Sequence, residues 1–192
     1  MLGKKPSEEV KIHGCLTIVE GFLPERYAYL QDSSAAIKIK MPADHNLSKD
    51  ECLVLTGKLK ITSSSIYFEV FELLIANRYE VKEKTATIND DFKSLEGQKI
   101  RFNKIKINRK YSYSLLLENG LKMKYFDDFD PDIYESGEYI QVKGVIIKLS
   151  SSLYLVPLVI LDPIENTVLG SLNNSKVSEF NPGQLINDYN II

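Results

Sequence analysis

The chain has 192 residues, of which 44% are hydrophobic and 26% are charged, and its formal net charge is −2. This length and composition provide enough apolar residues for the core of one large domain or two small ones, which excludes wholesale disorder. The chain is not a polycation, so any binding to nucleic acid has to come from a local basic patch.

Neither a membrane span nor a signal peptide is predicted. The sequence contains no apolar run of about 18 residues or more, and the basic pair Lys4-Lys5 is not followed by an apolar stretch. Two cysteines do not make a disulfide framework. We therefore expect a cytoplasmic or nuclear protein, and a secreted origin stays an alternative if the sequence is trimmed at its start.

Two sets of five strands are predicted in chain order, each rich in β-branched and aromatic residues and punctuated by turn residues. The first set covers residues 10–20, 26–31, 35–41, 51–62 and 66–76. The second set covers residues 100–108, 111–117, 121–126, 138–149 and 153–161. A short helix or loop is predicted after the third strand of each set, at residues 42–50 and 131–136.

The same short motif occurs in both sets, 87 positions apart. Residues 63–67 read SSSIY and residues 150–154 read SSSLY, and Gly57 matches Gly144 at the same offset. This period is too long for a solenoid repeat and predicts two small domains in tandem. In each domain the triple serine is predicted to be the hairpin turn between strands four and five.

The predicted organisation is all-β with two domains. An N-terminal extension at residues 1–9 precedes domain 1 at residues 10–76, and a charged linker at 77–95 leads to domain 2 at 96–163. The linker is predicted to be extended or to hold a short helix. Residues 164–192 form an Asn-rich C-terminal tail, which we expect to be loosely ordered or to dock on a domain.

Five strands, a helix or loop after the third and a glycine in the fourth resemble the oligonucleotide/oligosaccharide-binding (OB) fold. Residues 27–39, YAYLQDSSAAIKI, resemble the second and third strands of nucleic-acid-binding OB domains, and residues 53–59, LVLTGKL, resemble their fourth strand. The resemblance covers roughly residues 10–162. It implies two consecutive five-stranded Greek-key barrels.

The second unit departs from this pattern at two places. It has Glu118-Asn119 where the first unit has Gln31-Asp32, and no glycine in its first strand matches Gly14. Because OB domains bind DNA, RNA, sugars and other proteins, the resemblance implies binding without specifying the ligand.

Alternation of side chains along strands two and three predicts which residues face outward. The inward residues are predicted to be Ala28, Leu30, Ile37, Ile39 and Met41 in the first unit, and Leu121, Met123 and Tyr125 in the second. The residues left outside are Tyr27, Tyr29, Lys38 and Lys40 in the first unit, and Lys122 and Lys124 in the second. OB domains bind ligands across this face, so the resemblance implies that these lysines meet phosphates and these tyrosines stack on bases.

The distribution of charge points to the second unit. Residues 95–126 hold eight basic and two acidic residues, a net charge of +6, and an acidic stretch follows. The basic residues include the tip between the first two strands, Asn108-Arg109-Lys110-Tyr111. The predicted nucleic-acid-binding residues are therefore Tyr27, Tyr29, Lys38, Lys40, Lys104, Lys106, Arg109, Lys110, Tyr111, Lys122 and Lys124.

Plainer interpretations of the same residues stay open. Lysines that alternate with apolar residues also suit an ordinary solvated β-face, and half of the tyrosines suit barrel or interdomain packing. Tyr111 and Tyr113 share the parity of the inward Leu115 and Leu117. Stacking by either tyrosine therefore requires a bulge that shifts the register.

No catalytic or cofactor motif occurs, so neither an enzyme nor a cofactor is predicted. His13, Cys15, His45 and Cys52 lack the spacing of a zinc site. Cys15 and Cys52 lie on neighbouring strands, which makes a disulfide geometrically feasible, but buried free thiols are favoured in a reducing compartment. The acidic run at residues 127–132 lacks the glycine and distal glutamate of an EF-hand loop and is interpreted as a solvated connector.

The leading prediction is a non-enzymatic binder of single-stranded nucleic acid, DNA in preference to RNA, that uses both OB units. The alternative is a protein-interaction scaffold, a subunit of a larger assembly, that binds its partner through the linker, the C-terminal tail or strand five of domain 2. The apolar run at residues 155–161 favours the alternative, because its poor alternation predicts that the other domain or a partner covers both faces of the strand. Sugar binding has no specific support.

Overall fold

A computed structural model describes residues 8–18, 23, 26–42, 47–63, 65–77, 81–124 and 133–161 of the chain. These residues form eleven strands and no α-helix, so the predicted all-β fold is confirmed. The strands are β1 Glu9–Ile18, β2 Tyr27–Gln31, β3 Ala36–Lys40, β4 Cys52–Ile61, β5 Ile66–Ile75, β6 Lys84–Thr85, β7 Lys99–Tyr111, β8 Ser114–Leu117, β9 Lys122–Lys124, β10 Tyr139–Leu149 and β11 Ser152–Leu161. The described ranges contain no helix that could cross a membrane.

The first five strands form a closed barrel, called barrel 1, in the order β1-β2-β3-β5-β4. Only β3 and β5 pair in parallel, and the other neighbours are antiparallel. Side chains that alternate along each strand fill the interior, as β-structure requires. The predicted inward residues Ala28, Leu30, Ile39 and Met41 are all buried there, with Ile37 packed beside them.

The last five strands form a second barrel, barrel 2, with the same arrangement. The order is β10-β11-β9-β8-β7, and pairing between β10 and β7 closes the ring. The predicted inward residues Leu121 and Met123 lie in its core. The chain therefore consists of two OB-type barrels, as predicted, and the domain boundaries around them stay a prediction.

The predicted linker holds a short strand and turns. Strand β6 pairs in parallel with β7 and adds an edge strand to the sheet of barrel 2. Nearby, the guanidinium of Arg101 donates to the carboxylate of Glu83 at 2.6 and 3.0 Å. The described part of the linker is thus attached to barrel 2 and contains no α-helix.

The segments predicted to hold a helix or loop after the third strands are only partly described. Residues 41–42, 47–50 and 134–136 contain turns or irregular backbone, without an α-helix. Tyr125, the acidic run at 127–132, His45 and the tail at 164–192 lie outside the described residues.

The described residues of the two serine motifs lie at corresponding hairpin turns, as predicted. One joins β4 to β5, where the Ser65 carbonyl accepts from the Thr62 N–H at 2.9 Å, and the other joins β10 to β11. The matched glycines also have matched roles. A Cβ atom would lie 2.0 Å from the Glu69 carbonyl oxygen at Gly57, and 2.4 Å from the Val156 carbonyl oxygen at Gly144. Each glycine therefore allows strand five to cross strand four closely at a register shift.

Cys15 and Cys52 form a disulfide, so the prediction of free thiols is wrong. The register of β1 and β4 places the two residues directly opposite each other. Val81 and Ala76 pack against them and help to bury the bond.

Asp32 fixes the turn between β2 and β3. Its Oδ1 atom accepts from the Ser34 N–H and hydroxyl, each at 2.7 Å, and from the Ala35 N–H at 2.9 Å. Partial burial would raise the pKa of this carboxyl, but the hydrogen bonds from Ser34 and Ala35 outweigh it and lower the pKa below its usual value.

We expect Asp32→Ala to lower the free energy of unfolding by about 1 kcal/mol at pH 7, because three donors lose their acceptor. A lowered pKa stabilises the folded state above the pKa of the unfolded chain, about 3.9. The difference in the free energy of unfolding between wild type and variant should therefore stay constant down to about pH 4 and become smaller as the pH falls further. Chemical denaturation across this range measures it, and Asp32→Asn, which keeps one acceptor oxygen, is the matched control. A difference that is constant with pH would contradict this role.

Candidate nucleic-acid interface

The two barrels pack against each other, and the outer face of β2 lies in the contact. Tyr29 is excluded from the interior of barrel 1, as its parity predicts, but it is only 1% exposed. It packs with Val145, Ile147 and Val156 of barrel 2. The prediction that Tyr29 is exposed for stacking is therefore wrong, because the second barrel covers this part of the face.

The Tyr29 hydroxyl forms two hydrogen bonds across the contact, both with residues of domain 2. It donates to Glu96 Oε1 at 2.5 Å and accepts from the Lys148 N–H at 3.4 Å. Burial, reinforced by the Glu96 carboxylate, raises the pKa of the Tyr29 phenol far above its usual value, so the phenol stays protonated. Gly97 allows the backbone to approach the Tyr29 ring this closely, because a Cβ atom at this position would lie 2.4 Å from the ring.

Gln31, which belongs to the segment that resembles OB domains, also takes part in the contact between the barrels. Its side chain is buried, and its Oε1 atom accepts from the Lys99 N–H at 2.8 Å. The Thr17 hydroxyl donates to the Gly97 carbonyl at 2.7 Å, and Lys99 forms an ion pair with Asp50. These bonds join barrel 1 to the start of barrel 2 through buried or half-buried groups.

The first part of the apolar run at residues 155–161 is explained by the same contact. Leu155 lies in the core of barrel 2, and Val156 and Leu158 pack against barrel 1. At the end of the run Val159 and Leu161 are exposed. The contact between the barrels therefore accounts for the start of the run and not for its end.

Barrel 1 keeps one group of cations and aromatic rings on its outer face, the Tyr27 cluster, made of Tyr27, Tyr67, Lys38 and Lys40. The two tyrosine rings meet edge to face, with centroids 5.4 Å apart. The ammonium groups of Lys38 and Lys40 lie 4.2 and 5.8 Å from the centre of the Tyr27 ring. The predicted residues Tyr27, Lys38 and Lys40 are therefore brought together.

Barrel 2 carries two cation–ring pairs at its surface: the Tyr111 cluster, made of Tyr111 and Lys122, and a separate pair made of Lys104 and Tyr139. The Lys122 ammonium lies 6.0 Å from the centre of the Tyr111 ring, and the Lys104 ammonium lies 4.6 Å from that of Tyr139. Tyr111 is 39% exposed and Tyr113, in the adjoining turn, is 81% exposed. Neither ring packs inward, and for Tyr111 the structure contains the bulge that the sequence pattern required.

A bulge in β7 explains the outward position of Tyr111. Ile107 pairs with Leu117 and Arg109 pairs with Leu116, so β7 has one extra residue, Asn108. The extra residue reverses the parity of the strand beyond it. Tyr111 consequently points away from the core that contains Ile105 and Ile107.

The remaining predicted residues lie on β7 and β9, the strands that carry Tyr111 and Lys122. Lys106 is half-buried on β7 opposite Tyr139, and its N–H donates to Glu118 Oε1 at 3.0 Å. Arg109 is exposed, Lys110 donates its N–H to the Ser136 hydroxyl at 3.2 Å, and Lys124 is the half-buried last residue of β9. All of the predicted basic residues except Lys38 and Lys40 thus belong to barrel 2.

Sequence reasoning missed Tyr67 and Tyr139. Tyr67 is the last letter of the SSSIY motif and was assigned only to the hairpin. Tyr139 begins β10 opposite Lys106, and only knowledge of the strand register pairs it with the cations of β7.

The described residues offer no metal site. No three His, Cys, Asp or Glu side chains among them are arranged to hold an ion. Of the four residues considered for zinc, Cys15 and Cys52 are joined to each other and so present no thiolates.

No family model matches the chain, and no curated protein matches it. Among solved structures, the single-stranded DNA binding protein from Thermus aquaticus is similar at 12% identity over 85% of this chain and 96% of that chain, with a TM-score of 0.31. A deletion mutant of that protein gives 11% identity over 85% and 97%, with a TM-score of 0.29. A structure described as "Molecular basis for abrogation of activation of pro-inflammatory cytokines" gives 14% identity over 77% and 88%, with a TM-score of 0.30. At these values no residue's role follows from the likeness.

Proposed function

We propose that the chain binds single-stranded nucleic acid without catalysing a reaction, through the outer faces of both barrels. The observation that carries this proposal is that each barrel combines lysine ammonium groups with tyrosine rings at its surface, in the Tyr27 cluster, the Tyr111 cluster and the Lys104–Tyr139 pair. Rings stack on bases of any sequence, and ammonium groups neutralise phosphates. A base that stacks on Tyr27 would move Lys38 off the ring and toward the neighbouring phosphate.

We propose DNA as the ligand in preference to RNA. Ammonium groups contact phosphates that both nucleic acids share, and tyrosine rings contact base faces that both share. A protein that requires RNA reads the 2′-hydroxyl with dedicated polar partners. Neither cluster depends on such a contact, so RNA gains nothing over DNA here, and we expect dT oligomers to bind at least as tightly as rU oligomers.

The test is binding of labelled dT and rU oligomers of about 10 to 30 nucleotides, a range that spans two OB site sizes. Fluorescence anisotropy at two salt concentrations is the measurement, with Lys122→Glu/Lys124→Glu as the variant. We expect the double variant to weaken binding at least about tenfold and to reduce the slope of log K against log salt by about 1 to 2.

The matched control is Lys82→Glu/Lys84→Glu, which changes the net charge equally at two exposed linker lysines. Its binding should stay close to wild type. Absence of salt-sensitive binding by the wild-type chain would refute the proposed function. Equal loss in both double variants would show that only net charge matters and that the Tyr111 cluster does not.

A further inference from the structure

The two serine hairpins line one groove between the barrels. This groove has a volume of about 710 Å³. Ser63 and Ser65 of the β4–β5 hairpin lie on one wall, and Lys148 and Ser150 of the β10–β11 hairpin lie on the other. The duplicated motif therefore supplies both sides of a single feature that neither barrel has alone.

The base of the groove is held by the contact between barrels. Tyr29 and Glu96 both line it, and the 2.5 Å hydrogen bond between them joins β2 of barrel 1 to the segment that precedes β7. The Lys148 N–H bond to the Tyr29 hydroxyl attaches the second hairpin to the same point. Because these partly buried bonds fix its base, the groove is formed before a ligand arrives, which lowers the entropic cost of binding.

The groove favours an anion. Its charged lining residues are Lys38, Lys93, Lys148 and Glu96, and the carboxylate of Glu96 already accepts from Tyr29. Lys93 and Lys148 are exposed, so their ammonium groups can reach a ligand. Serine hydroxyls beside ammonium groups are suitable donors to the oxygens of a phosphodiester.

The groove lies beside elements that carry the two clusters. Its lining includes Lys38, which belongs to the Tyr27 cluster. Its lining also includes Ser150, and Tyr154, four residues or at most about 13 Å further along the second hairpin, pairs with Lys122 of the Tyr111 cluster. A strand held in the groove therefore needs only a short extension to contact both clusters.

We propose that this groove is a bridging subsite, in which Lys93, Lys148 and the serine hairpins hold the phosphodiester backbone of one single strand that occupies both barrels. This inference rests on the proposed function and adds to it the path that the bound strand follows from one barrel to the other. Binding to oligomers long enough to reach both clusters depends on the groove, whereas binding of short oligomers to one cluster does not.

The test uses the full chain with Lys93→Glu/Lys148→Glu and, as the control of equal charge, Lys82→Glu/Lys84→Glu. Affinities are measured for dT oligomers of about 8 and about 25 nucleotides, which match one and two OB sites. We expect the groove variant to lose about tenfold or more in affinity for the longer oligomer and to match the control for the shorter one. Its thermal unfolding should match wild type, since both lysines are exposed.

A second readout needs no variant. Lysine acetylation followed by mass spectrometry should show Lys93 and Lys148 protected by the longer oligomer and reactive with the shorter one. If the wild-type chain binds no oligomer, the proposed function and the bridge both fail. If the wild-type chain binds but the groove variant equals the control, or loses affinity equally at both lengths, only the bridge fails.

Discussion

Tyr29→Ala is expected to lower the free energy of unfolding by about 3 to 5 kcal/mol, the usual cost of truncating a large buried ring. The ring is 1% exposed and packs with Val145, Ile147 and Val156, so its removal leaves a cavity between the barrels. It also leaves the Glu96 carboxylate and the Lys148 N–H without their shared partner. Denaturant unfolding followed by tyrosine fluorescence and circular dichroism measures the loss.

Two variants separate packing from hydrogen bonding at this position. Tyr29→Phe keeps the ring and removes the hydroxyl, and we expect it to cost about 1 to 2 kcal/mol. Tyr113→Ala makes the same truncation as Tyr29→Ala at a ring that is 81% exposed, so it should change stability by no more than about 0.5 kcal/mol. If Tyr29→Ala costs no more than Tyr113→Ala, the barrels do not pack through this residue.

The loss should also appear in the shape of the transition. In the wild-type chain the buried contact couples the two barrels, and one cooperative transition is expected. Without the Tyr29 ring the barrels should unfold more independently, which broadens the transition and lowers its apparent m-value. The width and m-value of the transition therefore distinguish a loss of packing between the barrels from a loss of packing inside barrel 1.

Local patterns in the sequence predicted the barrels because each pattern reports a local property. Alternation in residues 27–41 shows which side of a strand is apolar, and the structure places Ala28 and Ile39 inside accordingly. The same alternation places Tyr29 on the outer side but carries no information about what lies above that side. Its burial depends on a strand more than 100 residues later, so only the tertiary structure reveals it.

Two further features of the site depend on the strand register and on the docking of the barrels, which the sequence pattern does not show. The bulge at Asn108 turns Tyr111 outward, and no local feature of residues 107–111 distinguishes a bulged strand from a regular one. Likewise, the triple serines were recognisable as turns from their composition, whereas their meeting at one groove depends on how two barrels dock. The sequence therefore predicted which residues form the candidate site better than it predicted which of them lie next to each other.

Reduction of the Cys15–Cys52 disulfide is expected to lower the free energy of unfolding by about 4 kcal/mol. The bond joins residues 37 positions apart, and a cross-link over a loop of this size removes about that much conformational freedom from the unfolded chain. In a domain pair of this length the melting temperature should fall by about 8–16 °C. Thermal unfolding with and without a reductant measures the change, after alkylation and mass spectrometry have counted the thiols.

The matched variant is Cys15→Ala/Cys52→Ala, whose melting temperature should not respond to the reductant. Two free thiols in the oxidised wild-type chain, or a melting temperature that the reductant leaves unchanged, would contradict the assigned bond. Disulfides persist in oxidising compartments, whereas the composition alone led us to expect a cytoplasmic or nuclear chain. In a reducing compartment β1 and β4 would keep their pairing through the backbone bonds of barrel 1, and the chain would have the lower stability of the reduced form. The thiol count on protein isolated under non-reducing conditions therefore tests the bond.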